Sequence, residues 1–475
     1  MASDSLDHLK ALLKVEEIIE PSSSSHHSES LTWAAQKNLH PRLVVRPTTL
    51  ESLSKILASL SKTPLDFAVR SQGFGSSSAK NVLISMTAFT GFEFDRENEV
   101  VTIGAGQTWE EYYQKMEEMA PDYAVVACRT PCIGIGGSIL CGGFSWLSAE
   151  YGLTSDPQNM LDAQVVKLDG QVVWASTEPD LLWALRGAGG SFGVVTAFKL
   201  RAYRYTQSIY AGPIFLPKDT LPEIARAVAS FTQRSHDGKL AMFLYVLKKE
   251  LLDSIGVNQD MLVVHAFDAH GEEHGRSDEG FGWALGLKGA VDGTKVMNLK
   301  GVADLQGFIG QAQGLTNSFW SPLAIPEMTE ELVIRAFEWF DRVSAAEGSI
   351  KDNGYLIFEI MQKTTFNSSS LSRASTAWPH PPGARHILLL GTGCRPDADE
   401  SENKLARKLI MEGYDYIFAQ YKIAETDFVP NTIEDFHDTE KIFGEHYERL
   451  QKLKGKYDPG NKLKGPINPK LVSQA

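Results

Sequence analysis

A chain of 475 residues is longer than one hydrophobic core ordinarily serves, so two or three domains are expected. With 43% apolar and 22% charged residues it has the composition of an ordinary globular protein, and its net charge of −13 with only scattered lysines argues against a nucleic-acid partner. No stretch approaches about 18 uninterrupted apolar residues, so neither a spanning helix nor a membrane partner is expected. The first twenty residues are acidic and helix-patterned and lack a charged–apolar–small cleavage signal, which predicts an unprocessed, cytoplasmic chain. Four cysteines (Cys128, Cys132, Cys141, Cys394) fit that compartment as free thiols. Cys128 and Cys132 stand close, but no second pair or histidine completes a zinc set, so no metal is expected.

In chain order, PSSSSHHSES (21–30) reads as a mobile polar loop. LVVRP reads as a strand, and Thr48 with Glu51 as a capping box for the helix LESLSKILASLS. LDFAVR is a buried strand ending on a glycine loop, Arg70–Ser78 (RSQGFGSSS). VLISM and EVVTIGAG are further strands, and Thr108 with Glu111 caps the helix WEEYYQKMEEM. A long apolar, glycine-rich run, Thr130–Asp156, follows. QVVKLDGQVVWAS is a hairpin turned by Asp169–Gly170, and EPDLLWALR is a helix leading to a third glycine run, Arg186–Gly193 (RGAGGSFG), and a strand.

Around Tyr205 the texture changes. QSIYAGPIFL, KLAMFLYVLK, MLVVHAFDA, GYLIFEIMQ and RHILLLGTG read as five strands among three long helical patterns, an α+β arrangement on an antiparallel sheet. Residues 269–325 carry no assignable pattern. From about residue 430 the tail is an amphipathic helix stopped by Asp458–Pro459–Gly460, and its lysines (Lys452–Lys456, Lys462, Lys464) read as a solvated helix end.

Glycine lets the backbone approach another molecule and adopt positive φ, so each glycine run is either a tight buried turn or a ligand cradle. Three such runs suggest one large, flat, polyanionic ligand gripped along its length. The dinucleotide spacing G-x-G-x-x-G is not met: Phe192 follows Gly187 and Gly189, and Ile139 follows Gly134 and Gly136, where a third glycine is required.

Arg70–Ser71–x–Gly73, IGIGGSILCGG, WLSAEYGLTSD, LLWALRGAGGSFGVVTAF and HYERLQKLKGKYDPGNKL occur in that order. Together they resemble the FAD-linked oxidases with a vanillyl-alcohol-oxidase (PCMH) type FAD-binding domain, in the berberine bridge enzyme-like branch. The resemblance covers 40–205 and 435–470 and implies an α+β fold. A two-subdomain FAD-binding domain would occupy 1–205, a substrate-binding domain 206–430, and a segment returning to the FAD domain 431–475. It implies FAD held by Arg70, Ser71, Gly73, Phe74, Gly75 and Ser76 of the first loop. From the central run it implies Thr130, Ile135, Gly136, Gly137, Ser138, Leu140, Gly143, Phe144, Tyr151 and Gly152. Gly190, Gly193, Val194, Val195 and Asn461 complete the set, and the Gly136–Gly137 pair is expected to contact the cofactor through backbone amides.

The departures bear on chemistry. Many members carry a histidine bonded to the flavin where this chain has Phe74, so a non-covalent FAD is expected. Thr130 stands where some members add a cysteine link, with Cys128 and Cys132 two residues to either side. The Gly–Gly pair that usually follows a strand such as GYLIFEIM is absent from IMQKTTFNSSS. Glu359, on one strand face with Tyr355, Ile357 and Met361, is either a paired structural acid or a general base. His380 in TAWPH (Thr376–His380) is a proton carrier or scaffold. Tyr245, Trp320, Trp378 and Tyr421 are candidates for an aromatic pocket.

Three functions follow. The first is an FAD-dependent oxidoreductase that takes a hydride from a small-molecule substrate, with O2 or another acceptor reoxidising the flavin. The second is a flavin-fold cyclase, and the third a non-catalytic protein. The apolar insert strands favour a hydrophobic secondary metabolite over a carbohydrate.

Overall fold

The computed structural model describes residues 2–234, 236–249, 259–362, 373–419 and 427–471. Near the N-terminus, Val82–Ser85 lies between Leu43–Val45 and Phe67–Arg70 and parallel to both, and Ile18–Ile19 adds an antiparallel edge. Parallel strands need covering on both faces. The helix Leu50–Leu60 supplies one cover, burying Leu53, Ile56, Leu57 and Leu60 against Leu43, Val45, Val82 and Ile84. Its N-cap is Thr49, whose hydroxyl accepts from Ser52 N–H, one residue later than the sequence predicts. Thr48 is occupied elsewhere, donating from Oγ1 and from its amide to the buried carboxylate of Glu17. The Thr108–Glu111 capping box forms as expected.

A five-stranded antiparallel sheet follows, with Val194–Arg201 at its centre between Val100–Gly104 and Met160–Val166. Its outer strands are Phe92–Asp95 and Val172–Trp174, the latter closing the hairpin turned at Gly170, φ 87°. The helix Trp109–Met119 and the tail helix Tyr447–Tyr457 share its core: Trp109, Tyr112, Leu450, Leu453 and Ile467 are buried with Val101, Phe198 and Leu200. Trp378, Ala377 and Ile387, from the later part of the chain, enter the same core.

The third sheet is antiparallel and has eight strands among the described residues, three more than the sequence reading assigns. The additional ones lie in 269–325: Val291–Asp292, Lys295–Met297 and Asn317–Ile325. Asn317–Ile325 contains Pro322, which a ladder tolerates on an outer strand, and it pairs there with His386–Cys394 at the sheet edge. Helices Leu221–Arg234, Glu330–Ser344 and Glu400–Ile417 cover one face. The opposite face turns Ala241, Phe243, Phe267 and Met361 onto Trp146 and Leu147 of the central glycine-rich run. That contact sets the large sheet across the glycine loops.

Two polar stretches are more ordered than their composition predicts. Within 21–30, His26–Ser30 is helical and Glu29 is buried, accepting from Ser85 and Thr87. In the tail, Lys454 is fully buried rather than solvated, paired with Asp458 at 2.8 Å. Tyr421, and the stretch of IMQKTTFNSSS beyond Gln362, lie outside the described residues.

Candidate active site

The first glycine loop leaves the strand Phe67–Arg70 and is folded back by Arg70. Its buried Nη2 donates to the carbonyls of Ser28, Leu31 and Gln72, Nη1 lies 3.9 Å from Glu29 Oε2, and burial lowers the guanidinium pKa. Gly73 turns this corner at φ 79°, and a Cβ there would stand 2.5 Å from the Leu31 carbonyl oxygen. Among the described residues no protein acceptor takes the N–H groups of Gln72, Gly73, Phe74 or Gly75. Consecutive unpartnered amides form an anion-binding concavity.

The central run opens a short helix, Ile135–Leu140, with Gly134 at its N-cap. Ile135 N–H donates to the Gln107 carbonyl and Gly136 N–H to that of Ala105, so Gly136 is bound into the protein rather than offering its amide to a cofactor. Gly137 differs. Its N–H has no acceptor among the described residues, and a Cβ built there meets nothing within 4 Å. Gly134 lets this run nest against the first loop, since its Cβ would lie 2.6 Å from Ser71 Oγ. Ser71 Oγ itself donates to the Ala105 carbonyl.

The third run is pinned by the tail. Lys454 Nζ donates to the carbonyls of Ser191 and Leu463, and Ser191 Oγ donates to that of Ile467. Residues 463–467 are thereby laid along the same opening as the three loops.

These elements enclose a cavity of about 1010 Å³. Of the residues expected to hold a cofactor, Arg70, Ser71, Gly73, Phe74, Gly75, Ser76, Thr130, Gly136, Gly137, Ser138, Leu140, Gly143, Phe144, Gly190, Gly193, Val194 and Val195 line it. Ile135 does not, because it points into the core at 0% exposure. Tyr151 stacks on Tyr203 with ring centroids 3.9 Å apart, and Gly152 ends the helix Ser148–Tyr151 behind it. Asn461 sits in the turn after Asp458, outside the lining.

On the far wall the large sheet contributes Phe243, Tyr245, Trp320, Tyr355, Ile357 and Glu359. Glu359 is buried and ion-paired with Arg129 at 2.5 Å. His380 is not in this wall: its Nε2 lies 2.6 Å from buried Asp156, and its ring packs near Trp378, which is itself core beneath Gly187. Both belong to the scaffold, correcting the proton-carrier reading of His380 and the pocket reading of Trp378. Sequence reasoning missed Trp33, which stacks on Phe74 at 4.2 Å, and it missed Arg129 and Phe243. Arg129 carried one signal, as the charge that borders the long uncharged run.

The residues present fit FAD. A run of free amides suits a pyrophosphate, an open glycine suits close approach, and an apolar wall suits a flat ring system. A family model for the FAD binding domain matches residues 41–176, and one described as berberine and berberine like matches 428–464. FAD-dependent monooxygenase drtC of Aspergillus calidoustus is 30% identical over 224 residues, 45% of this chain and 42% of that protein. An uncharacterized FAD-linked oxidoreductase of Arthroderma benhamiae is 28% identical over 244 residues, 49% and 48% of the two chains. The chain spans about half the length of the curated relatives it matches. Among solved structures, a chitooligosaccharide oxidase superposes with a TM-score of 0.80 at 18% identity over 99% of this chain and 100% of that one. The oxidase of 6-hydroxy-D-nicotine from Arthrobacter nicotinovorans gives 0.79 at 21% over 97% and 98%. Likeness at that identity is likeness of fold. By its two matched segments and its fold, the chain is similar to the FAD-binding, berberine bridge enzyme-like proteins.

Proposed function

We propose that the protein is an FAD-dependent oxidoreductase acting on a small, apolar secondary metabolite, with the flavin held non-covalently and O2 or another acceptor completing the cycle. The observation that carries this reading is the cavity of about 1010 Å³, walled by glycine-loop backbone on one side and by aromatic side chains of the large sheet on the other. When bound, FAD supplies a two-electron acceptor for a hydride. The first-loop amides and Gly137 N–H hold its anionic part, and Phe74 packs on Trp33 where many relatives carry the bonding histidine. Thr130 donates to Gln306 instead of offering a thiol, and burial pushes the Cys128 thiol pKa up, away from the reactive thiolate. The far wall of Phe243, Tyr245, Trp320 and Tyr355 excludes water and receives the substrate. The monooxygenases and oxidoreductases among its relatives have flavin redox chemistry in common. Four free cysteines support a reducing, cytoplasmic compartment. No helix among the described residues is long and apolar enough to cross a membrane.

Two measurements test the proposal. Heat or acid precipitation should release the flavin colour into the supernatant; colour retained in the pellet would contradict non-covalent binding. An anaerobic screen of apolar aryl and polyketide-type alcohols should find compounds that bleach the flavin, with colour and peroxide returning in air. Product accumulating under argon beside a persistent oxidised spectrum would overturn the redox reading and favour a cyclase.

A further inference from the structure

The first glycine loop takes part of its shape from a segment far along the chain. Residues 313–318 lead from the short helix Gly307–Ala312 into the sheet strand Asn317–Ile325. They are tied to residues 31–36: Gly314 N–H donates to the Trp33 carbonyl and Ala35 N–H to that of Thr316, each at 2.9 Å. The Gln36 side chain donates to the Ser318 carbonyl and accepts the Ser318 N–H. Gln313 reaches further, its Nε2 donating to the carbonyls of Leu31 at 3.3 Å and Gln72 at 3.0 Å. Arg70 Nη2 holds the same two carbonyls, at 3.1 and 3.2 Å, together with that of Ser28. Two hydrogens on that nitrogen serve three acceptors, so Gln313 supplies the donor that Arg70 lacks.

A trans peptide points its carbonyl and its N–H in opposite directions. Gln313 and Arg70 hold the Gln72 carbonyl, so the N–H of the same peptide, that of Gly73, faces away from them. The next peptide is set alike. The Gly73 carbonyl accepts from Trp33 N–H at 2.9 Å and Ser76 N–H at 3.1 Å, which turns out the N–H of Phe74. Neither N–H has an acceptor among the described residues, and Gly73 and Phe74 both line the cavity. At Gly73, φ 79°, no side chain opposes rotation of the neighbouring peptides, so their direction depends on the anchoring of their carbonyls.

We propose that Gln313 is a positioning residue of an anion site for a diphosphate: it fixes the Gln72–Gly73 peptide so that the Gly73 N–H is presented to the anion. Gly314 acts on the following peptide through Trp33. The amide cradle is thus completed by the segment that enters the large sheet, not by the glycine loop alone. This assignment rests on the reading of the cavity as the FAD site, and the diphosphate is then that of the cofactor.

The test compares FAD, riboflavin and inorganic pyrophosphate as ligands of the flavin-stripped wild type and Gln313→Leu. Flavin fluorescence follows the first two, calorimetry follows pyrophosphate, and the thermal midpoint of each stripped protein is recorded. Riboflavin carries the ring system without the diphosphate, so it reports on the cavity apart from the anion site. Gln313→Leu should bind FAD and pyrophosphate about tenfold more weakly, and riboflavin within about twofold of the wild type. Where Gln313→Leu does not fold, Gln313→Met, which keeps the length without a donor, replaces it with the same expectation. Riboflavin weakened by the same factor as FAD would make Gln313 a general structural contact and overturn the assignment. Equal FAD affinity in the two proteins rejects the role of Gln313 and leaves the flavin reading standing. Pyrophosphate bound by a wild type that takes up neither flavin, and weakened in the variant, supports the role of Gln313 and rejects the flavin reading.

Discussion

The two walls of the cavity are built by opposite rules. The glycine-loop wall is backbone: amides of its first loop have no acceptor among the described residues, and its glycines stand where a Cβ would strike a carbonyl, as at Gly73, or would meet nothing, as at Gly137. The opposite wall is side chain, carried on strands paired in an antiparallel ladder. A backbone wall tolerates change in most side chains but not in its glycines. A side-chain wall can change its occupant's chemistry one residue at a time without disturbing the sheet beneath it.

The largest expected effect lies where the tail is clamped to the backbone wall. Lys454→Met would strand the buried Asp458 carboxylate, at 0% exposure, and should cost about 3–5 kcal/mol in denaturant unfolding. A loss under about 1 kcal/mol would mean that the clamp does not hold the third loop. Next comes acid stability behind the side-chain wall, where burial holds the His265 imidazole at about 4 against an ordinary 6.5. As pH falls, the unfolded chain takes up this proton first, so stability present above 6.5 is lost between 6.5 and about 4. That window accounts for up to roughly 3 kcal/mol, and His265→Leu should flatten the stability–pH profile by about that amount. An unchanged slope would place the acid sensitivity elsewhere.

Gly73→Ala sharpens the contrast from the other side. Strain at φ 79° and the Leu31 contact should cost roughly 1–3 kcal/mol and loosen the first loop, measurable as a lower thermal midpoint and faster FAD dissociation. The smallest effect on cofactor binding is expected from Trp320→Ala. It should change which substrates bind while leaving FAD affinity within about twofold. A large loss of FAD there would erase the distinction between the walls.

The same division explains what the sequence discloses. Glycine runs mark the backbone wall because no other residue meets its local demands, and the Thr108 cap is legible because both partners lie within one turn. Thr48, Glu29 and Lys454 are misread because each is fixed by a partner remote in the chain or by burial that composition does not reveal: Glu17, the Arg70 and Ser85 pair, and the third glycine run. Asn317–Ile325 is hidden by Pro322, a residue that argues against a strand unless the strand lies at an edge. Arg129 and Glu359 come together only once the large sheet is set across the central run, and nothing local to either residue announces the other.

The central claim, that flavin rests on exposed backbone amides, is tested most directly by titrating FAD into the flavin-stripped wild type and Gly137→Val, following flavin fluorescence. A Cβ at Gly137 meets nothing within 4 Å beyond its chain neighbours and its own helix backbone, so a valine there is aimed at ligand space. The account predicts one FAD per wild-type chain, and an affinity at least about tenfold weaker in Gly137→Val, with the thermal midpoint of the stripped protein unchanged. Equal FAD affinity in the two proteins would contradict it.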